Sequence, residues 1–136
     1  MNTLVDKADA TAAVEGFTSS WLAHDIDRKA TFLTGDFVLW NNCDHIEVPH
    51  AAAIKSFHWL TAVTRNNQYY DVRRNLTSFG VVQQHLASFD TDQGNFRGIP
   101  MLLVFHTRGR RVSRCETYLD STGLPKLEWP KGVRFF

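Results

Sequence analysis

The apolar residues near the start of the chain follow a helical spacing. Val14, Phe17, Trp21 and Leu22 fall on one face of a helix that is predicted to run from about Lys7 to His24. This helix would present an aromatic inner stripe to the rest of the protein.

A second, shorter helix is predicted next. Asp25 or Asp27 can cap its first turn, and the helix is expected to run through Leu33 and to end at Gly35 in the left-handed conformation. The pattern then changes, because residues 36–41 carry apolar side chains on both faces and predict a strand. A polar loop follows this strand.

A third helix and then a series of strands are predicted for the remainder. Pro49 can start the helix, since its missing N–H costs nothing in a first turn, and the helix is expected to reach about Arg65. Pro100 is expected to mark a bulge or a sheet edge. The predicted strands are Gln68–Phe79, Val81–Asp90, Asn95–Thr107 and Arg111–Asp120, with turns at Gly80, Gly94 and Gly109.

This order of elements predicts an α+β protein. Three N-terminal helices are expected to pack on a curved, mainly antiparallel sheet, and together they would form a cystatin-like cone that encloses a pocket. A length of 136 residues fits one domain, residues 1–136. Residues 1–7 are expected to be a flexible start and residues 121–136 an extended C-terminal tail.

Composition narrows the expected partners. Fifteen Lys and Arg against fourteen Asp and Glu give a net charge of +1, which provides no field for nucleic acid or an anionic membrane. Acidic residues near the N-terminus and the lack of a long apolar stretch predict a cytoplasmic protein. Cys43 and Cys115 are expected to be free thiols, and the six histidines lack metal-site spacing, so neither metal nor cofactor is expected.

Several short strings point to a known superfamily. They are Asp25–Asp27, Gly35–Trp40, Ala51–Phe57, Val104–His106 and Arg111–Asp120. Through them the chain resembles the SnoaL-like branch of the nuclear-transport-factor-like and ketosteroid-isomerase-like superfamily, from about Ala8 to Leu124. The resemblance implies the cone fold and a homodimer formed through the convex sheet face. Members of the superfamily include isomerases, polyketide cyclases, dehydratases, epoxide hydrolases and non-catalytic modules.

The residues of a true ketosteroid isomerase are missing at the matching positions. Phe17 stands where the resemblance places a tyrosine donor, Asn41 where it places the base, and Leu103 where it places the second acidic donor. Phenylalanine and leucine cannot donate a hydrogen bond, and an amide accepts no proton at neutral pH. Steroid-type proton transfer by this set of residues is therefore not expected.

Four other polar residues are candidates for acid/base chemistry. The resemblance places His58 on the pocket side of the third helix, where it would act as an acid or base, unless it is a hydrogen-bonded core histidine. Asp71 matches the position of a catalytic histidine in related proteins, and Arg73 shares its strand face. Asn41 would orient a carbonyl or a water. Alternatively, Asp71 and Arg73 form a surface pair, and Asn41 satisfies strand-end backbone groups.

The last strand has one charged face and one less charged face. Arg114, Glu116, Tyr118 and Asp120 are expected to face solvent or a partner subunit, and no role is assigned to His85 or His106 on neighbouring strands. The opposite face is better suited to a dry pocket for a flat, hydrophobic ligand. The expected ligand-contacting residues are Phe17, Trp21, Trp40, Tyr69, Leu103, Phe105, Cys115 and Thr117.

Two functional hypotheses follow. The first is a cofactor-independent enzyme, a lyase, cyclase, isomerase or dehydratase, that acts on an aromatic or polyketide-like molecule with His58 and Asp71 as the acid/base pair and Asn41 and Arg73 as oxyanion holders. The alternative is a non-catalytic small-molecule-binding or assembly domain of the same fold.

Overall fold

The computed structural model describes residues 4–120 and Thr122. The predicted extended tail, apart from Thr122, and the first three residues of the predicted flexible start lie outside the described residues. The helices are α1 (Lys7–Leu22), α2 (Ile26–Ala30) and α3 (His50–Val63), and the strands are β1 (Leu33–Asn41), β2 (Val48–Pro49), β3 (Arg65–Leu76), β4 (Gly80–Thr91), β5 (Gly94–Arg108) and β6 (Arg111–Leu119).

Helix starts follow the predicted capping chemistry. Asp6 caps α1 by accepting a hydrogen bond from the backbone N–H of Asp9 at 2.9 Å, and Asp25 caps α2 through Arg28 at 3.0 Å. Pro49 immediately precedes α3, as expected. In the part of the chain that the structure describes, no helix is long and apolar enough to cross a membrane.

The predicted α+β class is confirmed. One open, six-stranded sheet has the order β2-β1-β6-β5-β4-β3, in which β1 and β6 are parallel and the other neighbours antiparallel. Two helices precede β1, and α3 follows β2. The helices cover one face of the sheet, where the rings of Phe17, Phe37, Phe57 and Phe105 are buried together.

Two local predictions involve backbone irregularities. Gly35 does not end α2, because the helix stops at Ala30 and Gly35 already belongs to β1. The strand begins early because the carbonyl of Phe32 accepts a hydrogen bond from the N–H of Val112 at 2.7 Å. Pro100 lies two residues after Gly98, whose φ of 65° accompanies a register shift between β4 and β5, and just before the β5–β6 pairing begins at Met101.

Candidate functional site

The inner face of the sheet carries polar side chains among apolar ones. Strand register aligns them in three rows that run across β4, β5, β6 and β1. Their inward direction is confirmed by burial, since Gln83, Thr117 and Asn41 are all buried beneath the helices. The rows are His85–Met101–Leu119, Gln83–Leu103–Thr117–Asn41 and Val81–Phe105–Cys115–Leu39.

A small apolar cavity lies at one end of this interior, and we call it the cone cavity. Its volume is about 40 Å³, which leaves room for only about one or two water molecules. The rings of Phe17, Phe37, Phe57 and Phe105 pack against one another in the rest of the interior. The cavity is lined by Trp21, Leu60, Thr64, Asn67, Tyr69, Ala87, Phe89, Ile99, Met101 and Leu119.

His85 contacts two residues that line the cone cavity, but it lies in the wall of a second, more open pocket of about 310 Å³, which it shares with Asp71 and Arg73. Its ring stacks on Tyr69 at a centroid distance of 3.7 Å, and it lies opposite Met101 in the sheet. Both neighbours line the cavity, as does Ala87, two residues further on the same strand face. His85 is only 3% exposed, so a ligand that reaches it would meet it in a dry environment.

A chain of hydrogen bonds fixes the tautomer of His85. Arg74 Nε donates to Gln83 Oε1 at 2.8 Å, so the amide of Gln83 must turn its NH₂ group toward His85 Nδ1, 3.0 Å away. Arg74 is held in turn by Glu15 of α1 at 3.5 Å. Because Nδ1 accepts this hydrogen bond, the proton of the neutral ring lies on Nε2.

The Nε2–H group of His85 is a buried donor without an acceptor among the described residues. Burial, and then the positive charge of Arg74, lower the pKa of His85 from 6.5 to about 4, so the ring is neutral at pH 7. A buried donor of this kind is rare in folded proteins, because leaving it unpaired costs about 1–3 kcal/mol. It is therefore a candidate for hydrogen bonding to a ligand.

Lys29 is the second unusual polar group of the interior. It projects from α2 and is only 2% exposed. Its Nζ lies 3.8 Å from the ring centroid of Phe17, 4.1 Å from that of Phe57 and 4.9 Å from that of Trp21. Desolvation lowers its pKa from 10.5 to about 7, and the nearby group that opposes this shift is the Cys115 thiol rather than a carboxylate.

The structure does not bring the four predicted catalytic residues together. His58 is exposed, because α3 turns Ala53, Ser56, Phe57 and Leu60 toward the core and leaves the next position outside. The expectation that His58 lines the pocket is therefore wrong, and so is the alternative of a core histidine.

Asp71 and Arg73 form a surface ion pair, which was the alternative interpretation. Their charged groups are 3.2 Å apart, and the side chains are 62% and 67% exposed. A register shift between Tyr70 and Arg73 disturbs the inward-outward alternation of β3 at this point, and Asp71 adopts a φ of 52°. Neither residue lines the cone cavity, but both line the second pocket with His85.

Asn41 lies on the inner face but is occupied by the backbone. Its Oδ1 accepts hydrogen bonds from the N–H groups of Cys43 at 2.9 Å and Asp44 at 3.3 Å, so it stabilises the turn after β1. The neighbouring Asn42 exchanges two 3.1 Å hydrogen bonds with the backbone of Leu119. Asn41 thus satisfies strand-end groups, as its alternative interpretation stated.

The predicted ligand-contacting residues divide into three groups. Trp21 and Tyr69 line the cone cavity. Trp40 lies on the outer face, where its ring packs 5.2 Å from His45 and 5.3 Å from Tyr118, so its assignment to the pocket is wrong. Side chains alternate between the two faces of a strand, and the neighbours of Trp40 in β1, Leu39 and Asn41, both point inward. The remaining residues are buried on the inner side without lining the cavity: Phe17, Leu103, Phe105, Cys115 and Thr117.

The last strand has the predicted orientation. Cys115, Thr117 and Leu119 are buried on the inner side. On the outer side, Arg114 Nε donates to Glu116 at 2.9 Å, and its guanidinium also pairs with Glu47 at 3.0 Å.

Across the part of the chain that the structure describes, no group of three His, Cys, Asp or Glu side chains could hold a metal ion.

Sequence comparison finds no family model that matches the chain and no curated protein that is similar to it. Structural comparison finds many similar folds. A putative polyketide cyclase from Xanthomonas campestris is 18% identical with a TM-score of 0.70, covering 84% of this chain and 92% of that one. An LEH-like epoxide hydrolase of M. tuberculosis is 15% identical with a TM-score of 0.72, covering 86% of each chain.

An NTF2-like, that is nuclear-transport-factor-like, protein from Burkholderia xenovorans is also similar. It is 13% identical with a TM-score of 0.72, and the match covers 88% of this chain and 95% of that one. These likenesses show that the chain shares the fold of these proteins. Proteins of this fold perform different chemistry, so the activity has to be argued from the interior itself.

Proposed function

We propose that this chain binds a hydrophobic small molecule that carries a carbonyl group, and that it acts on this molecule by cofactor-independent acid/base chemistry. The observation that carries the proposal is the buried Nε2–H of neutral His85, whose ring is held by Gln83 and stacks on Tyr69, a wall residue of the apolar cavity. A carbonyl oxygen is the natural acceptor for such a donor. The aromatic walls favour an aromatic or polyketide-like ligand.

The role proposed for His85 is to polarise the carbonyl. A neutral imidazole donor needs no proton transfer in order to stabilise negative charge that develops on oxygen. In a dry interior, one such preorganised donor is worth about 3 kcal/mol toward an enolate or oxyanion. The cone cavity, at about 40 Å³, has to enlarge before an aromatic ligand can occupy it.

Recognition of the carbonyl can be tested with acetophenone and its near-isostere ethylbenzene. We expect the protein to bind acetophenone about tenfold more tightly, since one hydrogen bond contributes about 1 kcal/mol or slightly more. His85→Leu should abolish this preference while retaining affinity for ethylbenzene. The measurement is isothermal titration of both ligands.

His106→Leu is the matched control, because His106 is a partly buried histidine that stacks on Phe79 at 4.5 Å on the opposite side of the sheet. It should retain the preference. Equal affinities of the wild-type protein for the two ligands would rule out recognition by His85.

A non-catalytic binding domain is the second candidate function. It is favoured by the surface positions of His58, Asp71 and Arg73 and by the nearly filled interior. Exchange of the acetophenone methyl protons in deuterated water separates the two functions, because exchange requires enolisation. His85-dependent acceleration supports the enzyme, whereas tight binding with exchange at the buffer rate supports the binding domain.

We also propose a homodimer formed through the outer face of the sheet. Leu86 and Tyr118 are each 36% exposed there, beside the partly buried side chains of Val82, Leu102 and Val104. Such contiguous apolar surface is typical of an interface. We expect sedimentation equilibrium at micromolar concentration to give twice the 15.5 kDa chain mass.

A charge in this face should disrupt the dimer. Leu102→Glu is expected to give a monomer, because a carboxylate would be buried without a partner. Gln93→Glu, in the exposed turn between β4 and β5, is the control and should remain dimeric. A monomeric wild-type protein would contradict the proposal.

A further inference from the structure

The amine of Lys29 is placed where a lysine is rarely found. Its α2 helix turns Ile26 and Lys29 into the core, and the aromatic rings of Phe17, Trp21 and Phe57 surround Nζ. Aromatic faces attract a cation, but they replace the hydration of an ammonium group only in part. The neutral amine is therefore favoured at this position far more than at the protein surface.

Among the described residues, the groups around Lys29 supply no buried counter-ion. Cys115 of β6 is the titratable group that acts on it, and burial raises the pKa of this thiol to about 12, so the thiol is neutral at pH 7. The contacts from α1 and α3 are aromatic rings. A lone pair on Nζ is thus available in a substantial fraction of molecules at neutral pH.

Lys29 is also close to the proposed ligand site. The Trp21 ring, whose centroid is 4.9 Å from the amine, is also a wall of the cone cavity. A ligand that displaces this ring from the wall would reach Nζ. His85 stacks on Tyr69, another wall residue of the same cavity.

We infer that Lys29 is a nucleophile that forms a Schiff base with an aldehyde or ketone in the cone. This inference rests on the proposed function, because the proposed ligand provides the carbonyl. The Nζ lone pair attacks the carbonyl carbon, the C=O π electrons move to oxygen, and a proton passes from nitrogen to that oxygen. Loss of the oxygen with a second nitrogen proton, as water, leaves the C=N bond.

Reductive trapping of the full-length protein tests the inference. The protein is treated with benzaldehyde and cyanoborohydride at pH 7, where hydride addition to the C=N bond gives a stable secondary amine. Peptide mapping by mass spectrometry locates the adduct. Because burial favours the neutral amine of Lys29, this residue should be modified at least about tenfold faster than the exposed Lys55.

Two variants and one competitor define the controls. Lys29→Met should abolish the fast adduct, and its folded state is checked by near-ultraviolet circular dichroism. Lys55→Arg, on the exposed side of α3, should leave the fast adduct unchanged. Ethylbenzene, which has no carbonyl, should slow modification of Lys29 by occupying the cavity.

The outcomes separate this inference from the proposed function. Modification of Lys29 no faster than that of Lys55 overturns the Schiff base, and the proposed function still stands if acetophenone binding depends on His85. Fast modification of Lys29 that ethylbenzene slows supports the inference. If acetophenone and ethylbenzene then bind equally, the role of His85 fails while the reactive amine remains.

Discussion

Replacing Lys29 by methionine is expected to raise the free energy of unfolding at pH 6 by about 2–4 kcal/mol. Lowering the pKa from 10.5 to about 7 corresponds to at most about 5 kcal/mol, and contacts between the ammonium group and the aromatic rings offset part of it. Methionine has a similar length and no charge, so it fills the same space without the desolvation penalty.

The pH dependence of this effect has a definite sign. The unfolded chain binds a proton at Lys29 up to about pH 10.5, but the folded chain binds it only up to about pH 7. Between these values the unfolded state holds more protons, so the stability of the wild-type protein rises with pH relative to the variant. The destabilisation is complete below pH 7 and disappears above about pH 10.5.

Urea unfolding of both proteins at pH 6, 8 and 9.5 measures this difference. The gap between Lys29→Met and wild type should narrow as the pH rises. Lys55→Met, an exposed substitution on α3, should show neither the gain nor the slope. A gap that is the same at all three pH values would show that Lys29 is not desolvated as the structure indicates.

The expected gain from Lys29→Met bears on function. Residues that reduce stability without structural compensation are concentrated at sites that bind or react. Lys29 has no carboxylate partner acting on it, and His85 has a buried donor with no acceptor among the described residues. Both side chains are almost fully buried, whereas the Asp71–Arg73 pair beside His85 is exposed, so the interior is the proposed site.

The pattern of apolar and polar residues predicted the fold because it repeats with the same period as the inward-facing positions of the helices and strands. The alternation along β6 correctly placed Cys115 and Thr117 inside and Arg114 and Glu116 outside. Helix α1 begins at Lys7 as predicted and ends at Leu22, two residues early. Such a difference does not move any buried side chain.

The predicted catalytic site failed for reasons that are local. His58 is adjacent to the buried Phe57, but one helical residue is a rotation of about 100°, which moves a side chain from core to solvent. Asp71 lies at a register shift in β3, and no pattern in the sequence predicted this shift. A resemblance to a fold family assigns a residue to a helix or strand, but it does not determine whether the side chain points to the core or to solvent.

The sequence did contain a signal for Lys29 and His85, the two interior residues to which no role was assigned. Ile26, Lys29 and Leu33 lie three and four residues apart, so a lysine occupied the apolar stripe of a short helix. His85 lies two residues after Gln83 on a strand whose inward positions are otherwise apolar at Val81 and Ala87. The direction of the His85 proton, however, depends on the contact of Gln83 with Arg74, which only the structure reveals.

The second large effect is expected from Gln83→Glu. A glutamate at this position would accept hydrogen bonds with both oxygens, so His85 would have to carry its proton on Nδ1, and Nε2 would become an acceptor. The carboxylate would also stabilise the imidazolium form. We expect the pKa of His85 to rise from about 4 by about two units or more.

Nitrogen-15 NMR of the histidine rings reports both the tautomer and the pKa, and comparison with His85→Leu assigns the signals. Gln84→Glu is the matched control, because Gln84 is exposed on the opposite face of the same strand. It should leave the Nε2–H tautomer unchanged. An unchanged tautomer in Gln83→Glu would contradict the hydrogen-bond chain.

The same variant connects the tautomer to recognition. At a pH above the raised pKa of His85, where the ring is neutral, Gln83→Glu keeps the imidazole ring and its stacking on Tyr69 but places a lone pair where the donor was. A ligand carbonyl would then meet an acceptor and lose its preference over ethylbenzene, while ethylbenzene itself should bind as before. Because the shape of the site is kept in this comparison, loss of the preference would assign recognition to the single proton on Nε2.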